Sequence, residues 1–406
     1  MSLAPRRRLA LVHYTASPVT GGVEAVLAVH ARLLREAGHD VRVIAGRGDA
    51  ELVPEADSRH PDVEAVASRL ADGDPATEQF DALRARQAER LRPLLADRDL
   101  VIAHNVLTMP FNLPLAVALA EAGRPLVAWT HDLAWVNPRY AEYQRPGWPW
   151  SILREPQAGV HYVVISRVRQ RELADVMRLP PSAVPVVPNG VDAAEFWGLG
   201  PRARELAARA GVDGADPLVL VPVRITRRKR LELALDAAAC LLPRHPNLRL
   251  VISGPLGPHS ADNVRYADAL QQQRARLGLD GVVSFLYEQA GPSGQHPVDD
   301  RTIAELYRMA DLVLLPSESE GFGLPVLEAG LSRAPLVCAD IPVLREVAGA
   351  GAWTFPAGGG AGEVAAAAER ALGSRAARLR RRTLREYGWP SVLERMERVI
   401  EAGCGG

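Results

Sequence analysis

The sequence predicts an α/β protein made of two doubly wound domains, and three observations carry this prediction. The chain has 406 residues, which is long for one hydrophobic core and ordinary for two. Short runs rich in Val, Ile and Leu alternate with helical patterns along almost all of it. The alternation stops at "VPNGVDAAEFWGLGP" (187–201) and then starts again, so we place one domain at 1–195 and another at 196–387.

The first domain is predicted to hold a parallel sheet covered on both faces. Its apolar runs are continuous, which is typical of strands buried on both sides. The first strand leads to a helix over 21–38, where apolar residues recur at helical spacing and Gly38 stands at the expected stop. The polar, Ala-rich stretch from about 50 to 98 has no clear assignment. The predicted strands are 9–14, 41–46, 100–104, 125–130 and 161–166.

The second domain repeats this pattern. Its predicted strands are 218–223, 248–253, 282–287, 312–316 and 336–339. The last segment, "WPSVLERMERVIEAG", predicts an amphipathic helix whose pattern is compatible with packing on either domain. Ligands of open α/β sheets bind outside the carboxyl ends of the strands, so with two such sheets we expect the site in a cleft between them.

Composition excludes several classes of protein. The 48 basic and 48 acidic residues give a formal net charge of zero, which argues against a general nucleic-acid binder but allows a small anionic ligand. Cys240, Cys338 and Cys404 lie far apart, which excludes closely spaced cysteine ligands and is a poor basis for a disulfide framework. Their spacing predicts a reducing, cytoplasmic setting.

Membrane insertion is not expected either. No apolar run reaches the length of about 18 residues that a spanning helix needs. The N-terminal "MSLAPRRRLALVHY" predicts a strand and not a signal peptide, because its short apolar run ends at His13 and Tyr14. The basic run over 375–385 leaves peripheral contact with the inner face of a membrane open, with a solvated helix face as the alternative.

Five cations follow the first strand of the second domain, in "VPVRITRRKRLELALDAA". One interpretation is a solvated, charged turn. Cations at a helix N-terminus oppose its dipole at a cost of about 0.3–1 kcal/mol each, so the other interpretation is that an anion binds there. Arg224, at the strand end, and Lys229, a turn later, are best placed to face such an anion. We expect Arg227, Arg228 and Arg230 to be exposed to solvent.

The segment "LVLLPSESEGFGLPVLEAG" joins a buried strand to a helix through a glycine-containing turn. Pro325 suits the first helical position, because its missing N–H would have no partner there. The backbone N–H groups of Phe322, Gly323 and Leu324 are then left without helical partners. Gly321 and Gly323 let the backbone approach a ligand closely. Free N–H groups at the positive end of a helix dipole predict an anion-binding site.

Two carboxylates flank this turn. Glu320 lies in the loop, and Glu328 is expected in the first turn of the helix. Each has an ordinary alternative, since Glu320 could be a surface residue and Glu328 could complement the helix dipole. A nucleotide-sugar carries a diphosphate between two polyols, so one carboxylate could accept ribose hydroxyls and the other sugar hydroxyls.

The Glu-x7-Glu pattern in "PSESEGFGLPVLEAG", with Arg and Lys after an earlier strand, resembles the large retaining glycosyltransferase family of GT-B fold, family four (glycosyl transferases group 1). The resemblance covers nearly the whole chain and is strongest from about 215 to 347. It implies that Glu328 binds the nucleotide ribose and that Glu320 contacts the transferred sugar. Arg224 and Lys229 match the pair that binds the donor diphosphate.

The same resemblance implies two Rossmann-like domains facing across a cleft. The domain at 1–195 would hold the acceptor, and the domain at 196–387 would hold the nucleotide-sugar donor. The final helix, 388–406, would cross back and complete the N-terminal domain.

Other segments match further parts of the family pattern. "SPVTGGVE" resembles the glycine loop near donor phosphate and acceptor, and "WTHDL" the segment whose histidine contacts the donor sugar. "ISGPLG" and "FLYEQAG" occupy the loops around nucleotide and base. The implied catalytic residues are His131, Arg224, Lys229 and Glu320. The implied donor-binding residues are Gly21, Gly22, Gly254, Leu286, Gly321, Phe322, Gly323, Leu324 and Glu328.

The chain departs from the family pattern at three places. Val223 stands where a glycine often precedes the first arginine, and Ala334 stands where a glycine is common. The glycine of the usual base-site strand is replaced in "FLYEQA", so the nucleotide base has no residue-level signal. No charged residue of the donor site is lost.

The function implied is transfer of a hexosyl group, with retention, from a nucleotide diphospho-sugar of GDP-mannose or UDP-glucose type. The acceptor would be a hydroxyl of a sugar, a lipid-linked sugar or a small polyol. No cofactor is expected, and the lack of an Asp-x-Asp motif at a strand end predicts that a divalent metal is dispensable. Two alternatives stay open, a nucleotide-sugar epimerase of the same architecture and a non-catalytic nucleotide-sugar-binding protein.

Overall fold

A computed structural model describes residues 5–256, 261–289 and 298–405. The chain forms two compact units. The first runs to Gly190 and takes in the chain again from Trp389, and the second is Val191–Gly388. The sequence placed the division near 195. The residues just after Gly190 join the second unit because Asp192 caps a short helix, accepting from the N–H of Glu195 at 2.9 Å, and Trp197 packs on the second core.

The first unit is built on a six-stranded parallel sheet with the order β3-β2-β1-β4-β5-β6. Two strands, Leu100–His104 and Leu126–Thr130, are buried along their whole length, as the sequence predicted for a sheet covered on both faces. The two-residue β3 lies exposed beside β2, and nothing in its sequence marks so short an edge strand. The strands are β1 (Arg8–Val12), β2 (Asp40–Ala45), β3 (Glu51–Leu52), β4 (Leu100–His104), β5 (Leu126–Thr130) and β6 (Val160–Val164).

Helices pack against both faces of this sheet. The first helix ends at Glu36, and Gly38 follows with a φ of +98°, as its place at the predicted stop requires. The unassigned stretch from about 50 to 98 contains two helices, whose apolar residues join the core under one face. The helices before the division are α1 (Gly22–Glu36), α2 (Pro61–Ala71), α3 (Thr77–Leu95), α4 (Leu113–Ala120) and α5 (Arg167–Met177).

The second unit repeats the architecture, with a six-stranded parallel sheet in the order β12-β11-β10-β7-β8-β9. The sequence missed β12, a three-residue strand at the edge of the sheet. The strands are β7 (Leu218–Val221), β8 (Arg249–Ile252), β9 (Val283–Phe285), β10 (Leu312–Leu315), β11 (Leu336–Ala339) and β12 (Trp353–Phe355).

Nine helices belong to the described part of the second unit. The basic segment 375–385 lies in the last of them, where Arg380 donates to the buried Asp311 at 2.9 Å and Arg381 pairs with Asp216. The helices are α6 (Ala193–Phe196), α7 (Pro201–Arg209), α8 (Leu231–Leu241), α9 (Ala261–Arg276), α10 (Asp300–Met309), α11 (Leu324–Ser332), α12 (Pro342–Ala348), α13 (Ala361–Leu372) and α14 (Arg375–Tyr387).

The last helix, α15 (Trp389–Cys404), packs on the first unit. Its apolar stripe, which includes Trp389 and Met396, joins the core formed by α1 and one face of β1, β4 and β5. A side chain at Gly190 would overlap the Trp389 ring, which explains the glycine in "VPNGVD". The chain therefore returns to its N-terminal half. Across the described ranges, no helix combines the length and apolar character that crossing a membrane requires.

Candidate functional site

Three loops of the second unit follow neighbouring strands at one edge of its sheet. They come after β7, β8 and β10, which lie side by side in the order β10-β7-β8. In parallel strands the carboxyl ends point the same way, so these loops lie together at the edge where α/β proteins bind ligands. Two of the loops are tied directly, because the N–H of Glu318 donates to the carbonyl of Arg228 at 3.0 Å and the Arg228 guanidinium donates to the Ser319 carbonyl at 3.0 Å.

Arg224 is the free cation of the loop after β7. Its side chain is exposed, and it has no hydrogen bond or ion pair with any residue that the structure describes. The loop is held against the end of β8, where a Cβ at Gly254 would overlap the carbonyl of Val223 and lie 2.6 Å from the N of Arg224. Gly254 therefore allows the backbone that carries Arg224 to come close.

Lys229 and Glu320 form a buried ion pair. The two side chains are 8% and 7% exposed. Ser317 donates to Oε1 of Glu320 at 2.7 Å, and Nη1 of Arg228 lies 3.5 Å from Oε2. Burial lowers the pKa of Lys229, and its contact with Glu320 opposes that shift. The structure thus brings together two predicted residues that are 91 positions apart, and both are already partnered.

The other three cations of this loop have structural contacts. The Arg227 guanidinium lies 5.3 Å from the centre of the Tyr266 ring. Arg230 donates to the carbonyls of Ala357 at 2.7 Å and Gly359 at 3.2 Å. Arg227 and Arg228 are exposed, as expected, whereas Arg230 is half-buried because it bridges to the loop before α13.

The start of α11 presents open backbone N–H groups. The helix begins at Leu324, so Pro325 occupies its second position and not the first. Gly323 caps the helix with a φ of +90°, and no side chain of a described residue caps the first turn. Among the described residues, the N–H groups of Phe322, Gly323 and Leu324 have no acceptor. Phe322 and Leu324 are 55% and 61% exposed, so this helix start reaches solvent. Free amides at a helix N-terminus can bind an anion.

Glu328 lies further along α11 than the sequence predicted. It is the fifth residue of the helix and not part of the first turn, because the helix begins at Leu324. Its carboxylate accepts a hydrogen bond of 2.6 Å from the hydroxyl of Tyr307. Burial, followed by this contact, raises the pKa of Tyr307, so the phenol keeps its proton and holds the exposed carboxylate in place.

Leu286 contributes to the core and not to an open surface. It begins a 3-10 turn over Leu286–Gln289, directly after β9, and its side chain is fully buried. Only its backbone could face a ligand. The neighbouring Tyr287 accepts a hydrogen bond of 2.8 Å from the side chain of Gln271.

The first unit carries the predicted glycine pair at the start of α1. Gly22 is exposed, and a Cβ there would meet no atom within 4 Å. A Cβ at Gly21 would collide with the carboxylate of Glu24. Glu24 accepts from the Thr15 hydroxyl at 2.6 Å and lies 3.9 Å from Nε2 of His13. The carboxylate of Glu24, which the sequence did not indicate as a site residue, therefore lies directly beside this loop.

His131 belongs to a cluster of four histidines. Nδ1 of His104 lies 3.2 Å from Nε2 of His131, and Nδ1 of His13 donates to the carbonyl of His104 at 2.7 Å. The ring of His30 lies 5.3 Å from that of His104. Of the other three, His13 follows β1, His104 ends β4 and His30 lies inside α1.

The cluster is electrically neutral at ordinary pH. Burial lowers the pKa of His30 to about 3 and that of His131 to about 4. The pKa of His13 is also lowered by burial, and that of His104 falls well below its usual range through burial and the neighbouring histidines. Each imidazole therefore carries one proton, and each contact between them has a defined donor. Within the described ranges, no group of three His, Cys, Asp or Glu residues has the geometry to hold a metal ion.

Acid is expected to destabilise the first unit. An unfolded histidine titrates near pH 6.5, while these folded histidines resist protonation, so their stabilisation is complete above about pH 6.5. It is lost as the pH falls toward their folded pKa values, at up to about 1.4 kcal/mol per pH unit for each histidine. Urea denaturation followed by tryptophan fluorescence between pH 7.5 and 5 measures the slope. His30→Phe should make the slope shallower, and an unchanged slope would contradict the assignment.

Two family models match the chain in succession. The model described as Glycosyltransferase Family 4 matches residues 20–195, and the model described as Glycosyl transferases group 1 matches residues 203–388. The first lies in the first unit except for its last residues, and the second lies within the second unit.

Curated proteins that are similar in sequence to this chain are named D-inositol 3-phosphate glycosyltransferases. A D-inositol 3-phosphate glycosyltransferase of Frankia alni is 36% identical over 241 residues, which are 56% of this chain and 56% of the relative. One of Kineococcus radiotolerans is 35% identical over 241 residues, 57% of this chain and 52% of the relative. The chain spans about half the length of the curated relatives it matches.

Solved structures align over most of the chain at low similarity. Anabaena Alr3699/HepE in complex with UDP and glucose covers 98% of this chain and 100% of its own, with 18% identity and a TM-score of 0.37. A likeness of that degree carries no conclusion about this chain. The two family matches cover both units, and each unit has the parallel sheet that this family requires. The chain belongs to the family-four glycosyltransferases of GT-B type.

Proposed function

We propose that this chain transfers a hexosyl group from a nucleotide diphospho-sugar to a hydroxyl acceptor, with retention of the anomeric configuration. The observation that carries the proposal is that a cation and open backbone N–H groups lie in two joined loops of the second unit. Arg224 has no hydrogen-bond or ion-pair partner for its side chain in the described part of the chain, and the start of α11 has open N–H groups in a loop that is hydrogen-bonded to the loop of Arg224. A diphosphate is the ligand whose charge and number of acceptor oxygens suit such a site.

This arrangement supports catalysis by electrostatics. Breaking the anomeric bond leaves positive character on the sugar and negative charge on the departing nucleoside diphosphate. Arg224 and the amides of α11 would stabilise that developing charge, as preorganised donors do in oxyanion holes. Lys229 is buried, and its ion pair with Glu320 fixes the position of its ammonium group. We therefore assign Lys229 to the same anion as a preorganised cation.

The two carboxylates take different parts in the proposal. Glu328 is exposed and held by Tyr307, which suits acceptance of the ribose hydroxyls. Glu320 is held by Lys229 and Ser317, and we assign it to hydroxyls of the transferred sugar. An engaged carboxylate is a poor nucleophile, which favours attack by the acceptor on the same face that the diphosphate leaves. The acceptor proton then passes to a phosphate oxygen of the leaving group.

In the first unit, we assign His131 to a hydroxyl of the bound sugar and the loop at Gly21 and Gly22 to the approach of phosphate or acceptor. The exposed, unobstructed Cα of Gly22 supports this part. No cofactor or divalent metal enters the proposed reaction, since fixed cations and amides supply the positive charge. The names of the relatives make an inositol phosphate the first acceptor to test, with GDP-mannose and UDP-glucose as the first donors.

A thermal-shift panel of nucleotides and nucleotide-sugars, followed by a transfer assay, tests the proposal. Selective binding raises the melting temperature by mass action. The expected product has the anomeric configuration of the donor, read from its NMR spectrum, and forms at the same rate with EDTA. Epimerised nucleotide-sugar without acceptor would favour the epimerase, binding without turnover would favour the binding protein, and an inverted product would overturn retention.

A further inference from the structure

The contact between His104 and His131 has a defined direction. Two neutral imidazoles 3.2 Å apart share one proton, so one ring must donate and the other accept. Nε2 of His104 is buried and has no partner among the described residues. If Nδ1 of His104 were the acceptor, Nε2 would carry a buried N–H without an acceptor, which folded proteins rarely tolerate. If Nδ1 is the donor, only a lone pair is left unmatched.

We infer that His104 is a positioning residue that donates its Nδ1–H to Nε2 of His131, so that His131 presents Nδ1–H as a donor to an oxygen of the bound sugar. No described residue hydrogen-bonds Nδ1 of His131, and the side chain is partly exposed. The low pKa values of both rings, caused by burial, agree with a single shared proton.

The surroundings hold both rings in this geometry. His104 stacks on Trp129, with ring centres 5.6 Å apart and an angle of 25° between the planes. Asn105, which has a φ of +57°, accepts from the N–H groups of His131 at 3.1 Å and Asp132 at 2.9 Å through its side-chain oxygen. The backbone at His131 is thereby fixed from one side and its ring from the other. Among the described residues, the other titratable groups that face His104 are His13 and His30.

The tautomer of His131 limits the chemistry that this residue can perform. A histidine whose Nε2 is already occupied and whose Nδ1 is protonated offers a hydrogen bond to a sugar oxygen, and it has no free lone pair for a general base. The role of the bound sugar rests on the proposed function. The direction of the His104–His131 bond does not, since it belongs to the protein alone.

Long-range ¹H–¹⁵N spectra of protein labelled in its ten histidines test the direction without any activity measurement. Signals are assigned by comparison with His131→Asn and His104→Asn. We expect His131 to have a protonated Nδ1 and an unprotonated Nε2, and His104 to have a protonated Nδ1. A protonated Nε2 on either ring, or a mixture of tautomers at His131, would overturn the inference.

Two variants of His104 connect the tautomer to catalysis. Asparagine can place an amide N–H near the position of Nδ1, so His104→Asn should keep the His131 tautomer and transfer within about threefold of the original protein. His104→Phe removes the donor, and we expect a fall of about 10–100-fold in kcat, the size of effect seen when a residue that orients a metal-bound histidine is lost. His30→Phe is the matched control, because His30 is a buried histidine of the same cluster whose ring nitrogens have no hydrogen-bond partner among the described residues, and it should leave both readouts unchanged.

The outcomes separate this inference from the proposed function. If the original protein transfers no sugar but shows the expected nitrogen signals, the function fails and the positioning contact stands. If transfer occurs and His104→Phe keeps both the His131 tautomer and full kcat, the positioning role fails and the function stands.

Discussion

Lys229→Met is expected to lower kcat for sugar transfer about 10²–10³-fold, the usual effect of removing one preorganised donor to a developing anion. It should also destabilise the second unit. Methionine leaves the carboxylate of Glu320 buried without its cation, and breaking a buried pair from one side costs about 3–5 kcal/mol. The contacts of Glu320 with Ser317 and Arg228 remain, so we expect the lower part of that range.

A double variant separates the two effects. Lys229→Met with Glu320→Gln removes both charges, so urea denaturation should show that most of the lost stability returns while transfer stays low. Arg227→Met is the matched control, because it removes a cation of the same loop that is exposed and stacked on Tyr266. It should keep kcat within about twofold. Activity that returns together with stability in the double variant would show that the pair has only a structural role.

Gly254→Ala is expected to weaken donor binding by moving the loop of Arg224. The added Cβ would overlap the carbonyl of Val223 and approach the N of Arg224 to 2.6 Å, and both are backbone atoms that cannot turn aside. Overpacking of this kind costs about 1–3 kcal/mol or more. The shift displaces Arg224, the cation of the loop that has no side-chain hydrogen bond or ion pair with the described residues, so KM for the donor should rise at least tenfold.

Gly330→Ala supplies the matched glycine control for this prediction. It lies inside α11, where a Cβ would meet no atom within 4 Å, and alanine is the better helix former. We expect stability to rise by about 0.5–1 kcal/mol, with donor binding unchanged. Calorimetric titration with the nucleoside diphosphate and denaturation curves measure both quantities. Normal affinity in Gly254→Ala would show that the position of Arg224 does not matter for the ligand.

Several parts of the fold could be predicted because they depend on neighbours in the chain. The continuous apolar runs identified ten of the twelve strands, and Gly38 marked the end of α1. The strands β3 and β12 were missed because two or three edge residues carry too little pattern. The division at Gly190 was placed late because the cap at Asp192 starts a helix that belongs to the second core.

The candidate site could likewise be predicted only in those features that depend on residues close together in the chain. Motif spacing located Arg224, Lys229, Glu320 and Glu328 at the ends of strands or in the helix after a strand. Spacing could not show that Lys229 and Glu320 neutralise each other, or that Arg230 bridges to another loop. The same limit hid the partners of His131, since the four histidines come from three strand ends and a helix.

By itself, the sequence determined ten of the twelve strands, the helices outside 50–98 that it placed between them, the repeat of the α/β pattern and the residues that carry charge at the strand ends. Those properties follow from hydrophobic periodicity and turn chemistry within about ten residues. Only the tertiary structure decided that α15 packs on the first unit, that Lys229 is buried against Glu320, and that His104 contacts His131. These contacts depend on the order of strands in each sheet, which brings together residues that local pattern cannot relate.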